Sequence, residues 1–257
     1  MRYSIKLERT ASLLLDISSM LMASGANTDR VNLTLTRFAS VLNCSVSSLI
    51  SHKTLVVTVI ENGTNETFTK VQNIPPYTVN FSVISAMSIA SWNAINNEWT
   101  IDQMEDEVKR IKGLKRYSKL VVLIAVSLAG AGFCNIFGGD YLNMAVAFVS
   151  TFAGLFAFQK VHQKRFNVYI RVFIASFVAS ATASLGIVYQ LGTHPQSALA
   201  TAVLFLVPGV PLINSFTDLM DNNILNGMVR FTTGLMTVLA ITLGLFLAML
   251  IFSVTLK

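Results

Sequence analysis

The sequence predicts a membrane protein, in which an N-terminal cytoplasmic α+β domain precedes an α-helical bundle of five transmembrane helices. Three observations carry that expectation. The chain is 53% hydrophobic with only 12% charged residues and a mean hydropathy of +0.60, about half the charge of a soluble domain. Five long runs free of charge, at about 120–139, 141–159, 172–193, 195–217 and 231–256, all lie in the second half. Each approaches or exceeds the roughly 20 apolar residues needed to cross a bilayer core at about 1.5 Å per residue. Between Leu55 and Val71 the pattern changes to short β-branched segments with a turn signal.

Residues 1–112 are expected to form the cytoplasmic domain and 113–257 the membrane domain. The first segment holds ten Lys/Arg against ten Asp/Glu, whereas the second holds nine against three, which accounts for the whole net charge of +6. These cations flank apolar spans, so they read as topology determinants and not as a nucleic-acid footprint. Lys109, Arg110, Lys112, Lys115, Arg116 and Lys119 precede the first span, and Lys160, Lys164, Arg165 and Arg171 join the second to the third. The opposite connections, around Gly139-Asp140 and Gly192-Thr193-His194, carry no Lys or Arg. The positive-inside rule therefore puts the N-terminus in the cytoplasm and, with an odd number of spans, Lys257 outside. Arg2, Lys6, Glu8, Arg9 and Asp16 interrupt any signal-peptide core.

Leu13, Ile17, Met20 and Leu21 recur at helical spacing over 7–23, and Ser24-Gly25 ends that run. A second helix opens at Asn27-Thr28 with Val31, Leu35, Phe38 and Leu42 as its apolar stripe. Leu55–Ile60 and Thr67–Val71 read as strands around an Asn62-Gly63 turn. A third helix is expected over 78–95, and Thr100 with Gln103 forms a capping box for a fourth. Cys44 and Cys134 have no partner spacing, so neither disulfide nor metal site is expected, and no cofactor. No Walker loop, GxSxG or HExxH occurs, so the chain does not read as an enzyme.

The fourth span is the informative one. Leu206-Val-Pro-Gly-Val-Pro-Leu212 places Pro208, Gly209 and Pro211 inside an apolar run. Each proline removes a backbone donor, and broken helix at membrane depth is tolerated only against protein or water. Transporters use such breaks to offer backbone groups to substrate. Asn214 and Asp218 follow at i and i+4 on one helical face, and an acid embedded in a span is costly enough to suggest a role. Arg230 could pair with Asp218 or Asp221. Asp140 stands on the outer side after Gly138-Gly139, with Asn135 on the last turn of the first span, and reads equally as a loop cap or an ion site. The small-residue rows Ala175/Ala179/Ala183 and Ala240/Gly244/Ala248 suit close helix packing.

Three segments resemble the threonine/serine exporter family: Ser24-Gly-Ala-Asn-Thr-Asp-Arg-Val31, Gly132–Asp140 and, most specifically, Val207-Pro-Gly-Val-Pro-Leu-Ile-Asn-Ser-Phe-Thr-Asp218. The resemblance implies a secondary exporter of small polar metabolites in the bacterial inner membrane. With about half the spans of single-chain members, this chain is similar to the larger subunit of the split form, whose partner is a smaller membrane subunit. Carried over are Pro208, Gly209, Pro211, Asn214 and Asp218, then Asp140 and Asn135, and in the cytoplasmic motif Thr28 and Arg30. Asn27 and Asn32 stand where the family commonly has Glu. The substrate implied is threonine or serine, with a small dicarboxylate as the alternative. A channel and a membrane scaffold or sensor are the readings from other classes.

Overall fold

The computed structural model describes residues 5–51, 53–163 and 166–254, without the His162 side chain. Lys164, Arg165 and Lys257, used above for topology, lie outside the described residues. The chain divides into two compact units, one formed by 1–115 with Val210–Thr232 and the other by Arg116–Gly209 with Thr233–Lys257.

In the first unit, α1 (Ile5–Ser24) is followed by α2 (Thr28–Val41), whose cap is Asn27. An antiparallel sheet of β1 (Cys44–Ile50), β2 (Thr54–Glu61) and β3 (Thr67–Asn73) follows in the order β1-β2-β3, with Cys44 opposite Glu61 and Thr54 opposite Asn73. Alternation along β2 turns Leu55, Val57 and Val59 inward, all fully buried. They share a core with Leu7, Leu14, Ile17 and Leu21 of α1 and with Val31, Leu35 and Phe38 of α2. The periodic apolar positions of the sequence are therefore the packed ones. Then come α3 (Phe81–Asn96) and α4 (Ile101–Lys112), the latter opened by the Thr100–Gln103 capping box. Its Met104, Val108 and Ile111 are buried. Arg9 of α1 ties down the outer face of α4 through Glu105, at 2.6 Å, and Asp102.

The second unit is helical. It contains α5 (Lys119–Ile136), α6 (Tyr141–Gln163), α7 (Val168–Val188) and α8 (Pro195–Ala202), followed by a 3-10 turn at Leu204–Leu206. The helix α9 (Gly209–Met220) starts at the edge of this unit and continues in the first, and α10 (Ile224–Ile251) begins in the first and ends in the second. Among the described residues four helices, α5, α6, α7 and α10, are long and apolar enough to cross a membrane, and the interrupted pair Pro195–Leu206 and Gly209–Met220 makes up to five. No more than 44% of any of the four windows is buried. Most of each helical surface is thus apolar and uncovered, as contact with lipid requires.

The helix limits depart from the charge-free runs where turn chemistry intervenes. The first stops at Ile136 because Gly138, at φ +82°, closes a Schellman turn in which Gly139 N–H donates to Cys134 O at 2.9 Å. The last begins at Ile224, so that Arg230 lies inside α10 and not before it. Within the bundle, Ser176 Oγ donates to Ile241 O at 2.7 Å, and a Cβ on Gly244 would lie 2.6 Å from Phe173 O. Ser176 and Gly244 thus mark a seam where α7 and α10 approach closely, whereas Ala175 and Ala179 of the other row lie against Gly154 of α6.

Gly244→Val forces that seam apart, and overpacking of this kind costs about 1–3 kcal/mol; a lowered Tm in detergent, against an unchanged Gly132→Ala control whose site is open, checks it. In α4, the hydrogen bond from Arg9 holds the Glu105 carboxyl below the usual carboxylate range. A depressed folded pKa contributes stability above the unfolded value of about 4.3 that is lost as pH falls through the folded value. Thermal melts between pH 6 and 3 should show a steeper acid loss in the native protein than in R9M.

Candidate functional site

The site grows from a turn. At Gly25, φ is +96°, and α1 ends in a second Schellman motif, with Gly25 N–H donating to Met22 O and Ala26 N–H to Leu21 O. A side chain at Gly25 would meet Tyr77 Oη at 3.1 Å, so glycine serves both the left-handed backbone and the close approach. This turn leaves four successive carbonyls at the end of α1, and all four find donors. Thr78 N–H takes Ala23 O at 2.8 Å and Asn80 N–H takes Ser24 O at 2.9 Å. Asn214 Nδ2 donates to Gly25 O at 2.7 Å, and Arg230 Nη2 donates to Ala26 O at 2.8 Å.

Two residues on, α2 starts, and its first N–H groups need acceptors. Asn27 Oδ1 accepts from Arg30 N–H at 3.1 Å. Asp218 Oδ1 accepts from Thr28 N–H at 2.9 Å. Asp218 is fully buried, and its Oδ2 lies 3.3 Å from Arg230 Nε. The carboxylate thus sits on the positive end of α2, and the guanidinium on the negative end of α1, each the favourable sign. Asn226 completes the cluster by donating to Ile50 O at 2.9 Å and Thr28 Oγ1 at 3.2 Å. One face of α9 and the start of α10 are held on the α1–α2 turn, while Ile213, Phe216 and Met220 stay exposed.

The structure therefore brings together Thr28, Asn214 and Asp218 of the residues nominated from the sequence. It adds Arg230, anticipated as a partner, and Asn226, which the sequence reading missed. The signal was present: Asn226 and Arg230 stand at i and i+4 on α10, just as Asn214 and Asp218 do on α9. Arg30 is exposed and points away into a separate groove.

The break itself takes in only one of the two prolines. Val207 is extended at ψ 124°, Gly209 N–H donates to Val207 O at 2.9 Å, and α9 begins at Gly209. Pro211 falls in the first turn of α9, where a missing N–H costs nothing. The interruption runs from Val203 to Pro208, through the 3-10 turn and the extended Val207, and Pro208 closes it.

In the second unit, Asp140 is engaged as a clasp. Its Oδ1 accepts from Asn143 N–H at 2.8 Å, and its Oδ2 from Thr193 N–H at 2.7 Å and Thr193 Oγ1 at 3.1 Å. Asn143 Oδ1 accepts from Asp140 N–H and His194 N–H, and its Nδ2 donates to Leu191 O at 2.7 Å. These bonds, the Asn143 N–H first, keep the Asp140 carboxyl below its ordinary value. Asn135 is exposed, its carbonyl spent on the Gly138 turn. Of the two roles open to Asp140, the loop cap is the one its bonds describe.

Several apolar helices long enough to span a bilayer, one further apolar segment broken at a bend, and a separate α+β unit are the features to be placed among known proteins. Residues 12–252 match the threonine/serine exporter family, ThrE, and the chain belongs to it. It is 27% identical over 233 residues to the "Probable succinate transporter subunit YjjP" of Klebsiella aerogenes, covering 89% of this chain and 88% of that one. It is also 27% identical over 210 residues to the protein of the same name from Escherichia coli K12, covering 80% of each. No solved structure matches significantly.

Removing Asp218 leaves the largely covered Arg230 guanidinium without its carboxylate and the Thr28 N–H without an acceptor. Breaking such a pair costs about 3–5 kcal/mol. D218A should lose most of the first unit's stability in denaturant melts. D218N, which keeps an oxygen for Thr28, should lose less, and D218A/R230M should recover part of the loss.

Proposed function

We propose that this chain is one subunit of a secondary exporter. It would carry small polar metabolites across the bacterial inner membrane, with a smaller membrane subunit as partner and an ion gradient as driving force. The N-terminal unit lies in the cytoplasm in this reading, as the basic flanks of the spans require. The observation that carries the reading is the interrupted fourth apolar segment. Its helix is broken between Val203 and Pro208, and the helix that follows is fastened by Asn214 and Asp218 to the α1–α2 turn. A half-helix with its own anchorage is a part that can shift without unfolding its neighbours. The small residues of α7 and α10 let backbone segments slide at close range.

Threonine and serine are the substrates the family's name supports, and succinate the one that the relatives' name supports. Both are small carboxylates. Asp218 acts here as the group whose bonds to Thr28 and Arg230 must loosen during the cycle. Asp140 instead keeps the outer turns in place.

Efflux from preloaded cells lacking both subunits tests this. Threonine, serine or succinate is loaded, and this chain, the smaller subunit and the pair are compared. Uncoupler-sensitive efflux with the pair alone is the expected result, reduced at least tenfold by D218N. Movement only down a gradient would instead make the chain part of a channel. No efflux of any of the three would remove the transport assignment for these substrates.

A further inference from the structure

Within the first unit, α2 and α3 enclose a groove of about 580 Å³ that the transport reading leaves unused. Its size is that of a small-ligand site, which runs from about 300 to 1,000 Å³. Arg30 and Arg37 enter it from α2, two helical turns apart and on one face. Lys6, Arg9, Lys109, Arg110 and Arg230 each have a carboxylate within 4 Å. Among the described residues, Arg30 and Arg37 have no such partner.

Arg37 is also fixed in place. Its guanidinium stacks 4.1 Å from the centroid of Trp92 and lies 3.4 Å from Ser91 Oγ. Stacking holds the planar fork without occupying all of its five donors. Between the two arginines the wall is apolar, from Leu33, Ile89 and Trp92, all at least 49% exposed. Ser88 contributes a hydroxyl on the α3 side, and Asp29 is the one acid in the lining.

We propose that this groove binds a small organic carboxylate. The guanidiniums supply charge-assisted, bidentate recognition of carboxylate oxygens, and Leu33, Ile89 and Trp92 cover a short carbon chain. A dicarboxylate would use both arginines. An α-amino acid would place its carboxylate on an arginine and its ammonium on Asp29. The site also adjoins the latch: Asn27 lines the groove and caps α2, and the next residue, Thr28, donates to Asp218.

The test uses the purified full-length chain in detergent and needs no transport. Succinate, threonine, neutral succinamide and inorganic phosphate are titrated by calorimetry. Tryptophan emission is followed in a W99F background, which leaves Trp92 as the sole indole. Saturable binding of succinate or threonine is expected, with a change in Trp92 emission. R30Q and R37Q should each weaken binding by roughly tenfold or more, the loss of one charged hydrogen bond, and R37K should restore part. Which acid binds more tightly decides between the two modes. The proposal is overturned by no saturable response to either acid, by equal binding of succinamide or phosphate, or by native affinity in both R30Q and R37Q. Efflux without binding would remove the groove and leave the transporter. Binding without efflux would do the reverse.

Discussion

The end of a helix carries carbonyls that its own ladder cannot use, and the start of the next carries N–H groups in the same position. Between Ala23 and Thr28 this chain presents both within six residues. Water is excluded from much of the turn, since Ser24, Gly25, Ala26 and Thr28 are all buried. The donors and acceptors must therefore come from elsewhere in the protein, because each buried group left unpaired costs about 1–3 kcal/mol. They come from Thr78 and Asn80 on one side and from Asn214, Asp218 and Arg230 on the other. That requirement fixes α3, α9 and the start of α10 on one short loop.

The charges are consistent with this arrangement. Asp218 and Arg230 oppose each other, and each also faces the helix end of opposite sign. A buried ion pair by itself contributes little net stability. Here both members replace backbone partners that the turn would otherwise lack, so the pair serves as the completion of two helix ends. The same feature makes the region responsive: changing one charge disturbs α1, α2, α9 and α10 together. Asp140 in the second unit follows the same logic on a smaller scale, with its oxygens filled by the N–H groups of Asn143 and Thr193.

Arg30 shows how a motif can divide its labour. Thr28 faces inward to Asp218, whereas Arg30, two residues later on a 3.6-residue helix, faces outward into the groove with Arg37. One turn of α2 thus adjoins both the latch and the proposed carboxylate site.

Much was legible from residue order alone. Hydropathy and its period gave the apolar helices, the strands around Asn62-Gly63, the capping box at Thr100 and the buried stripe of α2, since these depend on neighbours within a few residues. The pairs Asn214/Asp218 and the break at Pro208 were visible for the same reason. What spacing could not show is which groups meet across about 190 residues. That Asp218 accepts from Thr28 and that Asn226 reaches Ile50 O depend on where the packed core places these segments, and that Pro211 is a harmless first-turn residue depends on α9 starting at Gly209. Composition and local pattern determined most of the elements, though not β1 or the extent of the break before α9; only the tertiary structure decided their partners, because satisfying a buried polar group is a condition on space and not on sequence distance.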